Sequence, residues 1–377
     1  MSETGIYIHW PYCSAICPYC DFNVYRARGA DNAPLLAAIA NDLEGHARRF
    51  GRRKVVSLFF GGGTPSLLRG AEIEQLIAAA RQHYDVSDDC EITLESNPED
   101  VALFAEQAAA GINRFSIGAQ AFDDDALKAL GRKHDAPASW RAIEAAAATG
   151  QRVSVDLIYA REGQSAEAWA HELKAALALP IEHLSLYQLT IEPGTAFARR
   201  VDRGQLVTPS DDLSAELYEL TQDICDAAGF PAYEISNHAR TIAARSRHNL
   251  VYWQSEDWIG VGPGAHGRLG HAGARIAFEA RRRPSDYLDA VKERGVGWIS
   301  EAELTPQETA DEVLLMGLRI EEGVELARVE ALRGAPINRR ALEWLTEQGL
   351  VSQENGRIRL TRSGRLLSNR IVAELAS

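Results

Sequence analysis

Six short β-rich runs, at residues 5–9, 55–60, 91–94, 114–117, 152–158 and 183–189, alternate through the first half of the chain with Ala-rich helical stretches such as 71–82. This rhythm predicts parallel βα units, because two parallel strands can be joined only by a crossover long enough to hold a helix. Six units in a row predict an α/β fold built as a partial (β/α)6 barrel. In such barrels the side chains that do chemistry sit at the C-terminal ends of the strands and on the loops that follow. The sequence puts a polar or Gly-rich feature at each of those ends. Cys13, Cys17 and Cys20 follow the first strand, Gly61-Gly62-Gly63-Thr64-Pro65 the second and Gln120 the fourth, while Glu95, Asp156 and Gln188 belong to the third, fifth and sixth.

Beyond about residue 198 the rhythm fades into a helix over 211–228 and an aromatic, Gly-rich stretch over 233–267. From about Thr305, two helical segments precede the run Glu354-Asn355-Gly356-Arg357, whose Asn-Gly pair is a hairpin signal. The expected division is a barrel over 1–230, an extension over 231–300 and a C-terminal α+β, winged-helix-like cap over 301–377. A winged helix invites a nucleic-acid reading, but residues 301–377 carry 13 acidic against 10 basic side chains and the whole chain has a net charge of −13. Phosphate backbones recruit clustered Lys and Arg, so nucleic acid is not an expected partner. Residues 1–10 lack the parts of a secretory signal, and no run of about eighteen apolar residues follows, so a cytoplasmic location is expected.

Three of the five cysteines fall within 13–20, spaced C-x3-C-x2-C with no fourth cysteine close by. Soft thiolates in this arrangement suit three corners of a [4Fe-4S] cluster and leave one iron open. The rivals are a zinc site completed by His9, against which stands the usual pairing of structural zinc ligands, and cysteines with no ligand at all. Cys90 and Cys225 stand alone and are expected to be buried as small hydrophobes.

Longer stretches carry a family likeness. Tyr7-Ile8-His9-Trp10-Pro11-Tyr12-Cys13, Cys20-Asp21-Phe22-Asn23, Phe60-Gly61-Gly62-Gly63-Thr64-Pro65-Ser66, Ser116-Ile117-Gly118-Ala119-Gln120, Gly131-Arg132-Lys133-His134 and Ser185-Leu186-Tyr187-Gln188-Leu189 together resemble the radical-SAM proteins of the oxygen-independent coproporphyrinogen oxidase group. The resemblance implies S-adenosylmethionine on the open iron. It further implies that Gly62, Gly63 and Thr64 contact the methionine part, that Glu95, Gln120, Arg132 and Asp156 bind the cofactor, and that Tyr7 and Tyr19 line the same pocket. Read from the residues alone, Glu95 and Asp156 could equally be salt-bridged structural acids. At Tyr159-Ala160-Arg161-Glu162-Gly163-Gln164 the chain departs from the Gly-Leu-Pro-Gly-Gln of the family, so no contact is carried over there.

Two features separate branches of that group. Phe22 stands where the oxidases resemble C-x3-C-x2-C-x-C, and His248-Asn249-Leu250-Val251-Tyr252-Trp253 resembles a motif associated with heme in the heme-chaperone branch. An imidazole can ligate heme iron while aromatic faces pack on the macrocycle. The alternative is a core histidine among core aromatics, and His266 is a second-rank ligand candidate. The function implied is a heme chaperone, with a radical-SAM decarboxylase of coproporphyrinogen III, or a radical enzyme on another substrate, as the alternatives. Expected partners are heme, a heme-acceptor protein of which membrane-associated respiratory hemoproteins are one class, and an electron donor for the cluster.

Overall fold

The computed structural model describes residues 3–27, 29 and 31–377; Met1 and Ser2, part of the segment read above for a targeting signal, lie outside the described residues. Strands β1 (Thr4–Trp10), β2 (Lys54–Gly62), β3 (Asp85–Ser96), β4 (Arg114–Gln120), β5 (Arg152–Tyr159) and β6 (His183–Gln188) lie side by side in chain order and pair in parallel. Helices fill the crossovers, among them Ala33–Phe50, Gly70–His83, Ala136–Ala148 and Ala166–Leu177. The six expected strands and the partial α/β barrel are present.

Side chains alternate across a strand, and here the alternation sorts chemistry. Ile6, Ile8, Leu58, Phe60, Ile92, Leu94, Phe115, Ile117, Val155 and Leu184 are buried together in the main core. The residues between them, including Tyr7, Phe59, Thr93, Glu95, Ser116, Ser154, Asp156 and Ser185, line cavities on the opposite, inner face. The barrel thus has an apolar outside under its helices and a polar lumen.

The sheet does not stop at six strands. A short β7 (Asn237–Ala239) runs antiparallel on β6, and β8 (Asp257–Val261) adds in parallel to β1 at the opposite side. Beyond it β9 (His266–His271), β10 (Ala274–Ala280) and β11 (Trp298–Leu304) form an antiparallel meander, giving the order β11-β10-β9-β8-β1-β2-β3-β4-β5-β6-β7.

A second core begins at Ala310 and ends at Leu375. It joins helices such as Pro306–Gly317 and Arg339–Glu347 to a three-stranded sheet, in which Val351–Glu354 and Arg357–Leu360 form the expected hairpin, turning on Asn355 at φ 50° and Gly356 at φ 76°. Ion pairs from Arg245 to Glu321 and Glu322, and from Arg362 to Glu219 and Asp223, tie this winged-helix-like part to the barrel. Among the described residues no helix is long and apolar enough to cross a membrane.

Candidate functional site

The cysteine loop leaves β1 and is pinned at both ends. Tyr12–Cys13 pairs with Tyr25–Arg26, while Gly63 N and Thr64 N donate to Trp10 O and Tyr12 O at 2.7 and 2.8 Å. Gly62 N donates to Glu95 Oε2 at 3.0 Å, so the amides of all three residues are spent inside the protein. What this turn can offer a ligand is therefore carbonyl oxygen, which suits an ammonium group. Glycine is required for the approach: a Cβ on Gly63 would lie 2.8 Å from Tyr12 O, and Gly62 sits at φ +108°.

Cys13, Cys17, Cys20, Tyr19, Gly62, Gly63, Thr64, Glu95, Gln120, Arg132 and Asp156 all line one cavity of about 350 Å³ at the C-terminal ends of the strands. Eleven of the thirteen candidate positions are thereby brought together. Tyr7 and His248 are not among them. They line a second chamber of about 310 Å³, deeper in the lumen, which shares Phe22, Glu95, Ser116, Asp156 and Tyr187 with the first.

The site is braced in advance. Arg132 Nη2 donates to Asn97 Oδ1 at 2.6 Å and to Gly118 O at 3.0 Å, and its Nη1 lies 3.6 Å from Cys17 Sγ. Both N–H groups of Nη2 are thereby spent, so a ligand carboxylate reaching Arg132 is left the second N–H of Nη1 and the Nε–H. Gln120 adopts φ 67° where the β4–β5 register shifts, a bulge that points a non-glycine residue into the cavity. Asp156 accepts from Ser116 Oγ at 3.1 and 3.0 Å. Asn97 and Ser116 were not singled out from the sequence, although Asn97 stands two residues after Glu95 and Ser116 opens a quoted motif.

Among the described residues no three His, Cys, Asp or Glu side chains converge on a single metal position. A cubane does not ask for that, since each thiolate takes a different iron. His9 is committed elsewhere: Tyr7 Oη is 3.0 Å from its Nδ1 and Asn23 O is 2.9 Å from its Nε2. The zinc reading thus loses its fourth ligand, while three thiols on one loop beside a glycine turn whose amides are already spent fit a cluster with an adjoining ammonium-bearing cofactor. Cys90 and Cys225 are 3% and 0% exposed, buried as expected.

His248 lies on the helix Arg247–Trp253 and is 1% exposed. Its Nδ1 is 2.9 Å from Ser57 Oγ and its Nε2 2.7 Å from Tyr252 Oη, with Phe59 stacked on the ring at 4.9 Å. Burial pushes its pKa down to about 3, so the ring is neutral. Iron ligation by His248 would require Nε2 to leave Tyr252. His266 is 54% exposed beside Glu279.

Burial, and then the neighbouring Asp156, push Glu95 up to about 8; burial pushes Asp156 up to about 6, against the hydrogen bonds from Ser185 and Ser116. A cation arriving at Glu95 would draw its proton off. The shift also sets a pH dependence. Because the folded value exceeds the ordinary 4.5, the folded protein holds a proton the unfolded chain has released, so this contribution to stability is complete below pH 4.5 and lost as pH rises through 8. Glu95→Gln removes it. Urea midpoints of the two proteins, measured from pH 5 to 9, should draw apart in that direction, and parallel curves would contradict a buried protonated Glu95.

The sequence signature of the Radical SAM superfamily matches residues 7–176, and that of the HemN C-terminal domain matches residues 304–367. The chain is 36% identical to the heme chaperone HemW of Mycobacterium tuberculosis, over 98% of this chain and 94% of that relative. It is 34% identical to the Bacillus subtilis heme chaperone HemW, over 97% of each. It is also 40% identical to the mitochondrial radical S-adenosyl methionine domain-containing protein 1 of Bos taurus, over 85% of this chain and 74% of the relative. Among solved structures it is similar to the Escherichia coli coproporphyrinogen III oxidase, described as a radical SAM enzyme, with a TM-score of 0.83 over 100% of this chain and 90% of that one. Identity there is 22%, a likeness of fold.

Proposed function

Because the chain belongs to the radical SAM family of the heme chaperone HemW, we propose that it binds heme and transfers it to an acceptor protein, holding a [4Fe-4S] cluster on Cys13, Cys17 and Cys20 with S-adenosylmethionine beside it. The observation that carries this reading is the near full-length match to proteins named heme chaperones at 34–36% identity, against an oxidase that shares the fold at 22%. Phe22 supports it. This side chain is 59% exposed at the mouth of the cofactor cavity, an apolar face where the oxidases carry a thiol.

In this reading the three thiolates ligate the cluster, and Arg132 steadies the Cys17 sulfur. The carbonyls of the Gly62–Gly63 turn and the Glu95 carboxyl receive the ammonium of the cofactor, and Asp156 receives its hydroxyls. The cluster, when bound, supplies the electron that the sulfonium of the cofactor can accept.

The test is direct. Anaerobically reconstituted protein should bind heme stoichiometrically, pass it to an apo-hemoprotein, and release no carbon dioxide from coproporphyrinogen III; robust decarboxylation would overturn the proposal in favour of the oxidase. His248 enters as the heme ligand that Tyr252 holds in check. Tyr252→Phe frees Nε2 of one hydrogen bond worth about 1 kcal/mol, so heme affinity should rise about five-fold in a Soret titration, whereas an unchanged titration would place the iron ligand elsewhere.

A further inference from the structure

The lumen chamber below the cofactor cavity has a floor on which hydrogen-bond donors are left over. Glu91 is 0% exposed and receives Arg152 Nη2 at 2.8 Å and Arg114 Nη1 at 3.4 Å on the same oxygen, and Arg152 also pairs with Glu182 at 3.9 Å. Arg114 is 2% exposed. Its Nη1 also donates to Ala244 O at 3.0 Å, but its Nη2 is buried with no hydrogen-bond partner among the described residues. Thr93 is 1% exposed, and its Oγ1 likewise has none. The two are register partners on β3 and β4, and both line the chamber. A buried donor left unpaired is expensive, and a guanidinium more so, which makes this pair a site waiting for an acceptor.

We propose that Arg114 Nη2 and Thr93 Oγ1 form a carboxylate-binding site on the chamber floor, which takes a short organic acid with its chain pointing up towards the cofactor cavity. One carboxylate matches the one guanidinium nitrogen left without a partner; a second would face Asp156 and Glu95 at the upper rim. The two imidazoles that face the chamber are saturated and neutral. His183 is 2.6 Å from Ser154 Oγ and 2.8 Å from Tyr233 Oη, and His248 is held by Ser57 and Tyr252, so neither adds charge or a free donor. The aromatic wall of Tyr7, Phe59 and Tyr252 suits a hydrocarbon chain, and 310 Å³ stands at the small end of ligand cavities. Glu95, Ser116 and Asp156 belong to both cavities, so the ligand chain reaches the cofactor through that shared opening. The carboxylate is either that of a free short-chain acid or the terminal arm of a larger ligand.

The site is independent of the heme reading and survives its failure. Full-length protein with its cluster reconstituted is titrated calorimetrically with sodium propionate at constant ionic strength, with propionamide as the uncharged control. Propionate should bind saturably, one per chain, and propionamide should not. Thr93→Val keeps the volume and removes the hydroxyl, so it should weaken propionate about five-fold; Arg114→Lys keeps the charge against Glu91 and loses the fork, at a cost of ten-fold or more. Thr93→Val carries the test if the Arg114 variant does not fold. Repeating the titration with heme present separates the two sources: competition identifies the carboxylate arm of the larger ligand, and independent binding identifies a free acid. No saturable propionate binding, equal binding of propionamide, or an affinity that Thr93→Val leaves unchanged would overturn the proposal.

Discussion

Replacing Cys17 with serine is expected to bring the iron bound after anaerobic reconstitution close to background and to abolish the broad visible absorption of an iron–sulfur cluster. Cys17 is more informative than Cys13 because it is only half-buried, whereas Cys13 is 6% exposed and contributes to packing. A loss of iron at Cys17 therefore reports ligation rather than misfolding. Its sulfur also sits 3.6 Å from Arg132 Nη1, and serine offers iron only a hard, poorly acidic oxygen. Cys90→Ser and Cys225→Ser serve as controls. Both thiols lie in the main core, and burial pushes each pKa up to about 12, so they are inert protonated sulfurs and their loss should leave the iron content unchanged. Equal iron loss in all three single variants would mean that instability and not ligation is being read.

How much of this was visible beforehand differs from residue to residue. The parallel strands were legible because their outward residues are apolar at every second position, and the strand ends because cysteine and glycine are chemically conspicuous. The lumen was legible in principle and was passed over. Thr93-Leu94-Glu95, Arg114-Phe115-Ser116 and Ser154-Val155-Asp156 repeat the same polar–apolar–polar signal on three adjacent strands, yet only the carboxylates were singled out. Strands β8 and β9 were not recognised because their glycines imitate loops. Gly267 in β9 is there for packing: a Cβ on it would lie 1.9 Å from the Phe278 ring of the adjacent β10. For His248 the missing information was of longer range. The hydroxyl that takes its Nδ1 belongs to Ser57, 191 residues away, and no local pattern announces that contact.

Glu91→Ala should cost about 3–5 kcal/mol, because it leaves Arg114 buried with its ion pair gone and Arg152 with only Glu182 at 3.9 Å. The energy of this carboxylate is set by opposing effects. Burial alone would raise its pKa, but Arg114 and Arg152 together with the backbone amides of His248 and Arg247 outweigh that, and the group is held below the usual carboxylate value. A depressed value means that its stabilisation is present above the unfolded pKa and is lost as pH falls through the folded one. The wild type should therefore lose part of its stability on acidification below about pH 4.5, and Glu91→Gln should lose correspondingly less over the same range. Glu91→Gln should also cost less than Glu91→Ala, since its one amide oxygen still accepts either from the arginines, which share Oε2 in the wild type, or from His248 N, which lies 3.2 Å from Oε1. Urea midpoints at pH 7, converted through the measured slope, give the comparison. A cost below about 1 kcal/mol for Glu91→Ala would show that the arginines reach solvent or other acceptors once released, which the 2% exposure of Arg114 argues against. The same variant also reaches the aromatic helix: losing the acceptor for His248 N loosens the start of Arg247–Trp253, so heme binding should change in Glu91→Ala if the iron is held from that helix, and stay constant if it is held at the Phe22 mouth.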